Sequence, residues 1–207
     1  MKILIAGASG HALEVLDVVL ETVEIYNICF FDDITEKGKL LGKFLVLKDQ
    51  NEARAWFEEN SNFCLGIGGP KSRKKLSEKL INSGGNLIGI RASSAVISKH
   101  LLSIDPTVDI LNLAFIGNNT SIGSGTLINT GAQVHHDVNI GVFCEVSPGA
   151  KLLGRVNIGD YCSIGTGATI LPDVNVCNEV IVGAGAVVTK SITTPGKYVG
   201  VPARRIQ

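Results

Sequence analysis

From position 104 onward, an aliphatic residue recurs at every sixth place: Ile104, Ile110, Ile116, Ile122, Ile128, Val134, Ile140, Val146, Leu152, Ile158, Ile164, Ile170, Val176, Val182 and Val188. Four places after these aliphatics the residue is small or β-branched, from Thr120, Thr126 and Ala132 through Cys144, Cys162 and Ala168 to Ala186. No helix has a period of six, so the pattern predicts a short strand and a turn, repeated. Three such units close a triangular coil of about eighteen residues, and coils stack as parallel strands at ~4.8 Å. The periodic stretch then makes about five coils, a prism roughly 23 Å long with its aliphatics pointing inward. Glycine follows the aliphatic at Gly117, Gly123, Gly141, Gly159, Gly165 and Gly183. It is read as the turn residue, where a positive φ would penalise a side chain.

The first ninety residues follow other periods. Lys2–Ala6, Asn27–Phe31, Phe63–Ile67 and Leu87–Ile90 are short apolar runs that read as strands. Between them, residues 12–21, 50–59 and 71–82 carry helical spacing, as in Leu13, Leu16, Val19 and Leu20. Strands alternating with helices imply a parallel sheet covered on both faces, with ligands at the carboxyl ends of the strands. The expected organisation is therefore α/β plus all-β: a βαβ domain over residues 1–92, then a parallel β-helix over residues 93–207.

Composition narrows the function. Nineteen basic and nineteen acidic residues leave no net charge, which argues against a nucleic-acid partner. Apolar residues make up 45% of the chain and charged ones 18%, which excludes a disordered protein. The five cysteines, Cys29, Cys64, Cys144, Cys162 and Cys177, form no Cys-x-x-Cys pair. They read as free thiols in a reducing cytoplasm. Cys144 and Cys162 are expected to stack in adjacent coils, at a separation compatible with a disulfide but favouring buried thiols. The opening apolar run, interrupted at Gly7, is too short for a signal-peptide core or a membrane span. A cytoplasmic chain without membrane insertion is the expectation.

The six-residue repeat resembles that of the hexapeptide-repeat acyltransferases, and Gly196-Lys197-Tyr198-Val199-Gly200-Val201-Pro202-Ala203-Arg204 resembles their closing segment. A narrower resemblance rests on Gly7-Ala8-Ser9-Gly10-His11, Phe31-Asp32-Asp33, Ile67-Gly68 and His136-Asp137. In this order they are similar to bacterial nucleotide-amino-sugar N-acetyltransferases and the related sialic acid O-acetyltransferases. The resemblance implies a small Rossmann-like βαβ domain, a left-handed β-helix, a homotrimer, acetyl-CoA as co-substrate and no metal.

Acetyl transfer from a thioester needs a base, and histidine suits that work near neutral pH. Of His11, His100, His135 and His136, the resemblance places the general base at His136. Asp137 would hold its tautomer and stabilise the imidazolium. His135 is read as a bystander, although a register shift of one residue would exchange the pair. Cys144 falls at an inward small position, so direct attack in a ternary complex is expected rather than an acyl-enzyme. By resemblance, Glu145, Thr166 and Ala184 contact the co-substrate in a groove between prisms, and Gly154, Gly165 and Gly183 let its pantetheine arm approach the backbone. Glu145 departs from relatives that carry histidine there. Lys190, Arg204 and Arg205 are read as solvated, with cofactor phosphates as the alternative. Matching positions in the N-terminal half, Ser9, Gly10, His11, Asp32, Asp33 and Gly68, imply a nucleotide-sugar site. There a glycine turn at a helix start offers N–H groups to a phosphate. Arg73, within Lys71-Ser72-Arg73-Lys74-Lys75, is read as part of a solvated helix face rather than a phosphate ligand.

The expected activity is acetyl-CoA-dependent N-acetylation of a nucleotide-linked, UDP-type amino sugar, serving surface polysaccharide or glycan biosynthesis. The alternative is O-acetylation of sialic acid or another sugar hydroxyl. A zinc carbonic anhydrase on the same prism needs three histidine ligands, and two of the three histidines in this half are adjacent. A non-catalytic scaffold leaves the His136-Asp137 match unexplained.

Overall fold

The computed structural model describes residues 2–36 and 38–206. Its contacts divide the chain into one unit of Met1–Gly68 with Ser72–Ile90, and another of Gly69–Lys71 with Arg91–Gln207.

In the first unit six strands form one sheet: β1 (Ile3–Ala6), β2 (Ile28–Phe31), β3 (Lys39–Leu40), β4 (Phe44–Leu47), β5 (Asn62–Leu65) and β6 (Asn86–Leu87). Their order is β3-β4-β2-β1-β5-β6. Every pairing is parallel except β3 with β4. β1 and β2 are buried along their whole length, which is why they read as unbroken apolar runs. Three helices connect the strands: α1 (Gly10–Val19), α2 (Gln50–Glu59) and α3 (Pro70–Ile81). Asp49 caps α2 by accepting from the Asn51 and Glu52 N–H groups. From β1 the chain proceeds first to β2 on one side and later to β5 on the other. The loops after β1, β2 and β5 therefore meet at a topological switch point, the usual crevice for a ligand on such a sheet.

The β3–β4 hairpin lies in a stretch where the sequence reading expected no strand. Its turn puts Leu41 and Gly42 at positive φ, 49° and 66°, and the Lys43 N–H donates to the Leu40 carbonyl at 3.1 Å. This is a type I′ turn with leucine where asparagine is usual, so its sequence signal is weak.

The second unit is a left-handed parallel β-helix. Its strands are mostly two residues long and pair with those eighteen residues away, as in Phe115↔Gln133, Gln133↔Lys151 and Lys151↔Thr169. Three sheets make three faces. Ile116, Val134, Leu152 and Ile170 stack inside one face with no exposed surface. The small residues four places on are also buried, Thr120, Ala132, Cys144, Ala150, Cys162 and Ala168 among them. Cys144 and Cys162 are free thiols, and the Cys144 Sγ donates to the Gly159 carbonyl at 3.0 Å. The neighbouring Cys162 thiol and burial push the Cys144 thiol far above its ordinary range, which suits a core filler and not a nucleophile. Deleting one core methylene by Ile164→Val is expected to cost about 1 kcal/mol. Denaturant unfolding followed by circular dichroism measures it.

Glycine has a different role here from the one its spacing suggested. Gly117 and Gly165 do not have positive φ. A Cβ on Gly117 would lie 2.8 Å from the His135 carbonyl carbon, and one on Gly165 would lie 2.7 Å from the Ala184 nitrogen. These glycines permit coils to approach. The left-handed turn position is held at one corner by Asn119, Asp137, Arg155 and Asp173, with φ of 53°, 61°, 62° and 62°.

Candidate active site

His136 and Asp137 occupy the corner that follows strand Gln133–Val134. The ladder fixes their backbone. The His135 N–H donates to the Leu152 carbonyl at 2.9 Å, the Asp137 N–H to the Asn118 carbonyl at 3.0 Å, and the Arg155 N–H to the His136 carbonyl at 3.1 Å. Beneath them the buried Thr120 hydroxyl lies 3.2 Å from the His135 carbonyl. The His136 ring is exposed, and its Nδ1 lies 2.7 Å from Asp137 Oδ2. An ionised carboxylate only accepts, so Nδ1 carries the hydrogen, and in the neutral ring Nε2 keeps its lone pair. The other carboxylate oxygen, Oδ1, accepts from Asn119 Nδ2 at 2.7 Å. That amide, and then His136, hold the Asp137 carboxyl below the usual carboxylate range. His135 turns elsewhere, its ring centroid 5.6 Å from that of Phe115.

Gly154 stands one coil on from His136. A Cβ there would lie 2.5 Å from His136 Cε1 and 2.7 Å from Nε2. The imidazole edge rests on the glycine, and no side chain fits between them.

The residues singled out for the co-substrate fall into two places. Gly154 shares the corner of the His136–Asp137 pair. Gly165, Thr166, Gly183 and Ala184 stack on another corner, after strands Ser163–Ile164 and Val180–Val182. There the Gly185 N–H donates to the Thr166 carbonyl at 2.9 Å. Glu145 belongs to the face leading to that second corner, paired with Ser163. Its Oε1 accepts from the Ser147 hydroxyl at 3.2 Å, and its Oε2 from the N–H of Gly69, which clusters with this unit, at 2.6 Å. Its carboxylate is thus already engaged. At the end of the chain, Arg205 donates to the Pro195 carbonyl at 3.1 Å and packs over Gly196.

In the first unit, the loops at the switch point enclose a cavity of about 410 Å³ lined by Gly7, Asp32, Asp33, Ile67, Lys75 and Lys79, among others. Gly7 has φ 117°, and a Cβ on it would come 2.5 Å from Ile67 Cγ2, so glycine is required on both counts. Asp32 is occupied by its own backbone neighbourhood. Oδ1 accepts from the Ile34 and Thr35 N–H groups, both at 2.9 Å, and Oδ2 from Ala8 N–H at 3.0 Å. It braces the two loops against each other. Asp33 pairs with Lys79, whose ammonium also sits 5.6 Å from the Phe31 ring centroid. Ser9 flanks α1 at its N-cap without capping it, which leaves the first N–H groups of the helix available to an anion. His11 Nδ1 meets Glu14 Oε2 at 3.0 Å, while its Nε2 is buried without a protein partner. Gly68 lies in the loop after β5, beside the lining residue Ile67.

Arg73 differs from its sequence reading. It is fully buried, donating to the Ile67 carbonyl at 2.9 Å, and so holds the loop after β5. A run of five polar residues hid one inward-facing position of the helix. Asn119, Gly154 in its role under the ring, and Lys79 also escaped the sequence reading. For Asn119 and Gly154 the signal was present, since they stand eighteen residues from Asp137 and His136 respectively. Among the described residues no helix is long and apolar enough to cross a membrane, and no three His, Cys, Asp or Glu side chains form a group able to hold a metal ion.

Residues 2–80 match the PglD N-terminal domain, and residues 155–190 match the bacterial transferase hexapeptide family of six repeats. Similar solved structures span the whole chain. One is a histidine mutant of perosamine N-acetyltransferase from Caulobacter crescentus in complex with CoA and GDP-perosamine. It is 29% identical over 100% of this chain and 97% of that one, with a TM-score of 0.92. Another is the acetyltransferase domain of PglB from Neisseria gonorrhoeae FA1090 in complex with acetyl coenzyme A, 28% identical over 99% and 98%, TM-score 0.89. WeeI from Acinetobacter baumannii AYE is 29% identical over 100% of both chains, TM-score 0.89. The chain is thus similar, from end to end, to hexapeptide-repeat sugar acetyltransferases.

Proposed function

We propose that this hexapeptide-repeat acetyltransferase moves the acetyl group of acetyl-CoA to the amine of a nucleotide-linked amino sugar, with His136 as general base. The observation that carries the assignment of the base is the 2.7 Å contact between His136 Nδ1 and Asp137, which leaves Nε2 an acceptor on an exposed ring. As the sugar amine attacks the thioester carbon, its proton passes to Nε2 and a C–N bond forms. The tetrahedral adduct then collapses, the C–S bond breaks, and the imidazolium returns the proton to the departing sulfur. Asp137 stabilises the imidazolium in between and does not itself take the proton.

The cavity in the first unit suits the nucleotide end of such an acceptor. The uncapped start of α1, three residues beyond the lining residue Gly7, would offer N–H groups to a diphosphate, Lys75 and Lys79 would supply positive charge, and Asp33 would accept hydrogen bonds from a base or ribose. Asp32 acts by bracing the loops. The nucleotide expected from the sequence is uridine diphosphate, while the Caulobacter relative was solved with GDP-perosamine. The Gly165–Ala184 corner is the proposed contact for the co-substrate's pantetheine arm. Because it and His136 occupy different corners of one prism, a homotrimer in which neighbouring prisms pair unlike corners would complete the site.

The test is a thiol-release assay with acetyl-CoA and a panel of acceptors: UDP- and GDP-linked amino sugars, their hydroxy counterparts, and free sialic acid. Turnover confined to the amino sugars, with mass spectrometry placing the acetyl group on nitrogen, is the expected result. Turnover on sialic acid alone would replace it with O-acetylation. A monomer by light scattering, active at high dilution, would remove the shared site.

A further inference from the structure

The corner that carries Asp137 is a column of four left-handed residues, Asn119, Asp137, Arg155 and Asp173, each one coil from the next. Arg155 therefore stands one coil from two carboxylates, at about the same rise from each. It pairs with only one. Arg155 Nε and Nη2 reach Asp173 Oδ1 and Oδ2 at 2.6 and 2.9 Å, a two-pronged contact that uses the guanidinium fork. Asp137 is left with Asn119 on Oδ1 and His136 on Oδ2.

Resting on the reading of His136 as the base, we propose that Asn119 and Asp173 are positioning residues for it. Asn119 ties down Oδ1 of the Asp137 carboxylate, and Asp173 keeps Arg155 away from that carboxylate. The alternative pairing shows why this matters. A guanidinium turned to Asp137 would bind both carboxylate oxygens in the same two-pronged way and rotate the carboxylate toward the next coil. With the carboxylate turned out of line, His136 Nδ1 would lose its contact, the ring hydrogen would be free to move to Nε2, and the lone pair that receives the amine proton would be gone. Without the Asn119 amide, the carboxylate is free to rotate toward that pairing. The charged or titratable groups that act on Asp137 are His136, in contact with Oδ2, and Arg155, which acts at longer range through its charge. The Arg155–Asp173 pair is exposed, so it contributes little to stability, and its effect should appear in activity.

Three variants test the inference. Asn119→Gly removes the amide and suits the positive φ. Asp173→Asn frees Arg155 at nearly constant shape. Adding Arg155→Gln to Asp173→Asn removes the competing cation. The first two are expected to lower kcat about five- to tenfold with the KM for acetyl-CoA held within about twofold. Their melting temperatures should match wild type. In 15N spectra of labelled imidazole, His136 should shift toward the tautomer with hydrogen on Nε2. The double variant should recover kcat to within about twofold of wild type, a rescue that a purely structural role does not produce. Wild-type kcat and tautomer in both single variants, with His136→Ala inactive, would overturn this inference alone. An active His136→Ala would overturn the assignment of the base and this inference with it.

Discussion

Alanine at position 136 is expected to lower kcat for acetyl transfer about a hundredfold or more while acetyl-CoA still binds, because a positioned general base contributes about 10²–10⁴ in rate. The ring is exposed and its backbone is held by ladder hydrogen bonds that do not involve the side chain, so the variant should fold normally. Thiol release measures the rate, and calorimetric titration with acetyl-CoA measures binding. The adjacent histidine is the control. His135 packs against Phe115, so His135→Ala should keep most of the activity. A dead His135→Ala beside an active His136→Ala would exchange their roles.

How far the sequence foretold the molecule depends on the range of the forces that shape each part. The β-helix was legible because its core repeats: each coil buries the same stripe of Ile, Val and Leu against the same stripe in the next. A period of six fits no helix. The βαβ strands were legible where burial on both faces makes an unbroken apolar run, as in Ile3–Ala6 and Ile28–Phe31. The β3–β4 hairpin was not, because its turn is built on Leu41-Gly42 and gives no Asn-Gly signal. The glycines after the aliphatics are visible in the sequence, but the reason for them is not. Their spacing shows where a side chain is forbidden, and only the stacked backbone shows that the next coil, not the turn angle, forbids it.

Within the candidate site, neighbours in sequence were easier to see than neighbours in space. His136 and Asp137 are adjacent, so a histidine beside an acid was visible at once. Asp32 and Asp33 were equally visible, yet the structure separates their work. Asp32 accepts three backbone N–H groups and braces two loops, while Asp33 faces the cavity with Lys79. Arg73 gave no sign of burial, because its destination is a pair of carbonyls and carbonyls have no signature in a sequence. Asn119, Gly154 and Asp173 lie between these extremes. Once the coil length is known, each is one coil from a residue already suspected, so the repeat itself marks which distant residues touch the chemistry.

Gly154→Ala is expected to separate activity from stability. Its Cβ would lie 2.5 Å from His136 Cε1, 2.7 Å from Nε2 and 3.3 Å from Nδ1, and the nearest of these contacts is closer than packed atoms tolerate. Gly154 does not have positive φ, so alanine fits the backbone there. What must yield is the exposed ring, which can swing outward at little cost to the fold. An ångström of displacement breaks the 2.7 Å contact with Asp137 or carries Nε2 off the reacting nitrogen, and misplacement on that scale costs about a hundredfold in rate. Unfolding should change by less than about 1 kcal/mol, since alanine also restricts the unfolded chain. Gly165→Ala makes the opposite case. Its Cβ would meet the Ala184 nitrogen and the Val182 carbonyl oxygen, both at 2.7 Å, and backbone packed between coils has nowhere to go. That variant should lose stability by about 2 kcal/mol or more. If Gly154→Ala instead melts early, the ring cannot yield without the fold, and if it turns over at the wild-type rate, the contact with Gly154 does not set the position of the ring.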